Sequence, residues 1–268
     1  MREKERQPSA MNSDEPSLIT LERLATSADI RDRAFAASAL CLRRHAVADR
    51  AEIVAVYERI RETAALEHAE VRARIRSGTL DTRAFLAQLR EAPPNIRDHL
   101  VEEVLGIAYP PLEDHSLPHD ASWYSPSGLS EILFTLERAD LGPGKTFVDL
   151  GSGLGKVVLL VALLSGASAH GVELDPELAV QAQAAARSLN LDNAHFIAGD
   201  IRESPLPTAD VYYMFIPLSR SADVASRIRE FAGERRILLF SQTLDLKRLP
   251  WLRSAKAASY WLEMYEKA

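Results

Sequence analysis

The chain carries a single cysteine, Cys41, which excludes an intrachain disulfide and a thiolate metal cluster. A reducing, cytoplasmic setting is the default for such a composition. Also missing is any apolar run long enough to cross a bilayer. The opening residues, Met1-Arg2-Glu3-Lys4-Glu5-Arg6-Gln7-Pro8, hold no apolar stretch, so no signal peptide is expected, and their acids argue against a transit peptide. Excess positive charge is absent as well. The formal net charge is −6 and no basic stripe stands out, which disfavours a nucleic-acid partner. With 268 residues, 47% of them hydrophobic, the chain can bury one large domain plus a helical extension.

What is present centres on Phe147-Val148-Asp149-Leu150-Gly151-Ser152-Gly153-Leu154-Gly155-Lys156. Thr146, Phe147, Val148 and Leu150 read as a central parallel strand, and Val157–Leu164 as an apolar helix. Between them Gly151 and Gly153 permit φ > 0 and a close approach of ligand to backbone. The free N–H groups and positive dipole end of the helix face the same turn. In open α/β sheets nucleotides bind at such a turn. A dinucleotide fingerprint would place its third glycine one residue later than Gly155. An acid at position 149 would repel a pyrophosphate but suits a ligand carrying an ammonium and a sulfonium.

The alternation continues in order. Strand Ala167–Val172 closes on Glu173, 24 positions after Asp149, near the ~20-residue offset at which an acid meets ribose hydroxyls. A helix from Pro176 to about Leu189 follows, then strand His195–Ala198 ending at Gly199-Asp200-Ile201. Strand Val211–Ile216, helix Ala222–Phe231 and strand Arg236–Phe240 come next. Trp251–Ala255 and Ser259–Glu266 read as two closing antiparallel strands.

Upstream, residues 1–16 are polar and expected to be disordered. Residues 17–105 read as a helical domain, with Ser27 or Asp29 as a cap and one long helix over Ala51–Ile75. Asp81 opens a short helix, and Asn95 is expected to cap Ile96–Leu105. Asp98, Glu102 and Glu103 on that last helix read as part of a solvated face. Residues 106–128 form a connecting loop or lid leading into the catalytic fold over 129–268.

The run Tyr124-Ser125-Pro126-Ser127-Gly128, the turn 149–156 and Gly171-Val172-Glu173-Leu174-Asp175-Pro176 together resemble class I, seven-strand S-adenosylmethionine (AdoMet) methyltransferases. Within them the chain is similar to the branch acting on protein lysines. That branch includes the non-SET, telomeric-silencing histone methyltransferases and the ATP-synthase c-subunit type. The resemblance covers under half the chain. It implies an α/β, Rossmann-like seven-strand methyltransferase sheet with an α-helical N-terminal extension, AdoMet as cofactor and N-methylation of a protein lysine.

Carried over by residue, the resemblance implies that Asp149, Gly151, Ser152, Gly153 and Gly155 hold the methionine part of AdoMet. Glu173 would bind the ribose, and Asp200 and Ile201 would bracket the adenine. Tyr124 would close over the methionyl end, and Lys156, a glutamine in the histone enzymes, would meet the ligand carboxylate. The end of strand four departs from many amine methyltransferases. Met214-Phe215-Ile216-Pro217 offers no polar side chain where others place Asp or Asn. Phe215 and Tyr124 are therefore expected to act by desolvating the incoming amine.

Other features have plainer readings. Pro118 breaks the spacing of His115 and His119, so they read as loop histidines and no metal site is expected. Of Tyr212 and Tyr213, one is expected in the core and one in the cleft. His170 and His195 read as structural. Methylation of a small molecule, and a non-catalytic AdoMet-binding module working through the helical region, remain alternatives.

Overall fold

A computed structural model describes residues 16–43, 50–107, 125–215, 221–233, 238–241, 244–258 and 262–268. Trp123, Tyr124, His115 and His119 lie outside the described residues. The chain divides into two compact units, Met1–Thr63 and Ala64–Ala268.

The first unit holds α1 (Leu18–Ala25), α2 (Ile30–Leu42) and most of α3 (Arg50–Glu67). Ser17 caps α1 by accepting from the Thr20 N–H, and Asp29 caps α2 through Arg31 N at 2.9 Å. Leu21, Leu40, Ile53 and Ile60 are fully or almost fully buried.

The second unit begins with the end of α3. The long helix expected over 51–75 is broken at His68, where α4 (Ala69–Arg76) starts. Asp81 caps α5 (Thr82–Glu91), as its position before the apolar run requires. Helix α6 (Pro94–Leu105) starts one residue before the expected cap Asn95, with Pro94 at its first position, where a missing N–H carries no cost. Gly106, in the left-handed region, stops it.

After α7 (Leu129–Arg138) the elements alternate: β1 (Thr146–Leu150), α8 (Lys156–Ser165), β2 (Ser168–Glu173), α9 (Pro176–Ser188), β3 (Ala194–Ala198), β4 (Val211–Met214), α10 (Ser221–Ala232) and β5 (Leu238–Ser241). A 3₁₀ turn, Leu244–Arg248, leads to β6 (Leu252–Ala258) and β7 (Glu263–Lys267). One seven-stranded sheet results, in the order β3-β2-β1-β4-β5-β7-β6. The first five strands pair in parallel, and β7 is antiparallel to both β5 and β6.

Strand order reverses at β1, which has β2 on one side and β4 on the other. That switch point opens a crevice at the carboxyl ends of β1 and β4, where ligands of such sheets bind. Both faces of the sheet are covered. Phe147, Tyr213 and Phe240 belong to one core with α8, while Val148, Tyr212 and Leu239 belong to the other with α10. A helix apolar all round must be buried, and α8 is, from Lys156 through Ala162.

Candidate active site

Asp149 sits in the fourth position of β1, 3% exposed. No described residue donates a hydrogen bond to its carboxylate. Burial first, and the charge of Glu173 second, push its pKa well above the ordinary aspartate range. A buried carboxylate in this state is completed by a cation. Next to it Gly151 has φ +88, and a Cβ built on it would meet nothing within 4 Å. Space therefore lies directly over the turn. Ser152 contributes a buried hydroxyl oxygen with no hydrogen-bond partner among the described residues. An unpaired buried acid, open space above a glycine and an orphaned hydroxyl fit a cationic, polar ligand.

Backbone bonds fix the turn to the neighbouring strand. The N–H groups of Gly151 and Ser152 both donate to Val172 O, at 2.8 and 3.2 Å. Gly153 N donates to Glu173 Oε2 at 2.7 Å, and Asp175 N to Glu173 Oε1 at 2.9 Å. Burial raises the Glu173 pKa, partly opposed by those two amide bonds. Each carboxylate oxygen keeps a second acceptor site for a ligand hydroxyl. Gly155 closes the turn with φ +84, and a side chain there would strike Phe196 at 2.5 Å. Gly171 is needed for a related reason, since a Cβ would collide with Ser152 and Phe196.

At the end of β3, Gly199 N donates to Glu173 O at 2.7 Å. Asp200 then accepts from Arg202 three times through the side chain, the shortest at 2.7 Å, and once through the Arg202 N–H at 2.8 Å. The guanidinium is the main reason the Asp200 pKa is lowered. Ile201 is half-buried against the second core, with its carbonyl held by Arg227. Phe215 follows β4, half-buried against the first core. The two tyrosines of β4 do not divide into core and cleft. Both are fully buried, because successive side chains on a strand covered on both faces enter opposite cores. Tyr212 donates to Pro207 O at 2.8 Å, and Tyr213 to Ser127 Oγ at 3.0 Å.

The Lys156 side chain reaches α6. Its ammonium is 3% exposed and donates to Asp98 Oδ1 at 2.6 Å and Glu102 Oε1 at 2.9 Å. Desolvation works to lower its pKa, but Glu102 and Asp98 together outweigh it and the net shift is upward. The α6 acids are thus not a solvated face. Glu103, buried, also pairs with His68 Nε2 at 2.8 Å and His99 Nε2 at 3.1 Å. His99 and Glu103 are one turn apart, but nothing in the sequence signalled the contacts of Lys156 with Asp98 and of His68 with Glu103, which bridge 58 and 35 positions. The Arg202 clamp, two residues from Asp200, could have been suspected from spacing alone.

Among the described residues no group of three or more His, Cys, Asp or Glu side chains could hold a metal ion, and no helix is long and apolar enough to cross a membrane.

The strand order, the glycine turn at the switch point and the acids at successive strand ends define a class I AdoMet-dependent methyltransferase. Within that class, residues 125–199 match the family described as histone methylation protein DOT1. That stretch runs from the residue after Tyr124 through the end of β3. Similar solved structures include an RNA methyltransferase from Salinibacter ruber in complex with S-adenosyl-L-homocysteine. It is 23% identical, with a TM-score of 0.46, over 53% of this chain and 92% of that one. A SAM dependent methyltransferase from Aquifex aeolicus is 16% identical, TM-score 0.44, over 50% and 88%. TrmN from Thermus thermophilus is 20% identical, TM-score 0.42, over 51% of this chain and 48% of its own length. The acceptors of such proteins do not transfer with the fold.

Proposed function

We propose that the chain methylates the amine of a protein lysine. The observation that carries this reading is the match of residues 125–199 to a family of histone methylation proteins, since it spans the glycine turn, Glu173 and the segment before α7. In this reading Asp149 takes the ammonium of the methionyl part, and Gly151, Ser152, Gly153 and Gly155 cradle it. Glu173 takes the ribose hydroxyls. Ile201 packs against the adenine, and Asp200, steadied by Arg202, accepts from its amino group. Tyr124 closes over the methionyl end.

AdoMet supplies an electrophilic methyl group on a sulfonium. The lysine nitrogen forms the new N–C bond as the S–C bond breaks, and the proton left on nitrogen passes to solvent. Such an in-line displacement disperses charge, so alignment and exclusion of water supply much of the acceleration. The amine must arrive neutral. Phe215, at an apolar strand end, favours the neutral form by desolvation, and its backbone carbonyl offers an acceptor for an amine N–H. A small-molecule acceptor would use the same chemistry. The single cysteine fits a cytoplasmic setting for either substrate.

The test is transfer of labelled methyl from AdoMet to lysine-containing peptides and to a cell lysate. Label on lysine Nε of a protein, lost in Glu173→Ala, is the expected result. Label found only in small molecules would overturn the lysine assignment.

A further inference from the structure

Neither helix bordering the cofactor turn has a side-chain cap of its own. Helix α7 starts after Gly128 and α8 after Gly155, and neither glycine can offer an oxygen from a side chain. Helix α6 caps α7 and also holds the first side chain of α8. Asp98 Oδ1 accepts from the Leu129 N–H at 2.8 Å, in the first turn of α7, and from Lys156 Nζ at 2.6 Å. Glu102, one turn further along α6, takes the same ammonium at 2.9 Å. Lys156 is the first residue of α8, so its charge lies at the positive end of the helix dipole, the unfavourable end for a cation. It is also buried. Without its two acids this ammonium would have to leave the interior or lose its proton.

From this geometry we infer that Lys156, Asp98 and Glu102 form a clasp that positions the cofactor turn without touching the cofactor. The clasp joins the first residue after the glycine turn to the start of α7. Two residues before α7 lies Ser127, which Tyr213 of β4 holds by a hydrogen bond at 3.0 Å. The two segments that flank the crevice at β1 and β4 are thus set relative to each other by one helix outside the alternating fold. Lys156 is a positioning residue. Its role requires that the ammonium stay on α6, because a cation released toward the turn would oppose the ligand ammonium that Asp149 receives.

The inference rests on the AdoMet reading of the site, and its test separates the two. Calorimetric titration with S-adenosylhomocysteine is run on the full chain and its variants, with urea unfolding alongside. Asp98→Asn with Glu102→Gln keeps an acceptor for Leu129 but strands the buried cation, and should weaken binding by about 100-fold, against about tenfold for Lys156→Met alone. Adding Lys156→Met to the double variant removes the stranded charge and should restore about tenfold of the loss. Lys156→Arg should bind close to the parent, which guards against a variant that fails to fold.

Two results would overturn the clasp. One is parental affinity in the folded double variant. The other is a further loss on adding Lys156→Met, which would make Lys156 a direct ligand. A folded parent that binds no S-adenosylhomocysteine would instead overturn the cofactor reading, and the clasp's role with it.

Discussion

Gly153 donates its backbone N–H to Glu173 Oε2 at 2.7 Å, so the carboxylate that ends β2 also holds the glycine turn that follows β1. In the proposed reading Glu173 therefore has two tasks, one within the protein and one toward a ribose. Replacing it by alanine leaves the Gly153 and Asp175 amides without their partner. Hydrogen bonds to charged groups contribute ~1.5–3 kcal/mol each. Glu173→Ala should lower the urea midpoint and weaken S-adenosylhomocysteine by ~10–100-fold. Glu173→Gln keeps an oxygen for one amide and should recover part of the stability but little of the affinity.

Ionised Asp149 opposes stability and, in the proposed reading, favours binding. Its folded pKa is raised above the unfolded value, so the folded state holds the proton more tightly. Stability then falls as pH rises from the unfolded value through the folded one. Asp149→Asn should flatten that dependence and raise the melting temperature of the ligand-free protein at pH 8, by ~2–4 °C for each ~1 kcal/mol recovered. The same change should abolish the gain in S-adenosylhomocysteine affinity that ionisation of Asp149 gives as pH rises. Thermal melts and titrations across pH read both effects.

Two glycines of the turn should separate folding from binding. An alanine at 151 meets open space but must hold φ +88, a strain of ~1–2 kcal/mol, and its methyl enters the room over the turn. Gly151→Ala should fold and lose most cofactor affinity. An alanine at 155 carries the same strain and runs into Phe196, so Gly155→Ala should lose stability first. Urea unfolding beside calorimetry distinguishes them.

The His68–Glu103–His99 cluster joins α6 to the start of α4 without touching Lys156 and should act chiefly on stability. A hydrogen bond to a charged group contributes ~1.5–3 kcal/mol. Glu103→Ala should lower the melting temperature by ~3–12 °C for each such bond lost, at ~2–4 °C per kcal/mol. At a temperature where it is folded, its S-adenosylhomocysteine affinity should match the parent.

The sheet was legible because its signals are local. The first three strands are short runs rich in apolar residues whose ends carry a glycine or an acid, so the positions of Asp149, Glu173 and Asp200 follow from order along the chain. The helices of residues 69–105 were legible as helices, through the Asp81 cap and their apolar spacing, but the start of α6 at Pro94 and their partners were not. An acid on a helix reads as solvated unless a distant cation is known to reach it, and Lys156 stands 58 positions from Asp98. The same holds for Lys156, whose place beside Gly155 is local and whose partners on α6 are not. For Tyr212 and Tyr213 the alternation was readable, but the second covered face of β4 depends on α10 packing from further along the chain.

Titration of the parent protein with S-adenosylhomocysteine, beside Asp149→Asn, tests the central claim most directly. The account predicts binding on the order of micromolar, ~−8 kcal/mol, that is lost in the variant while the variant stays folded. No heat from a folded parent, or equal binding by both proteins, would contradict it.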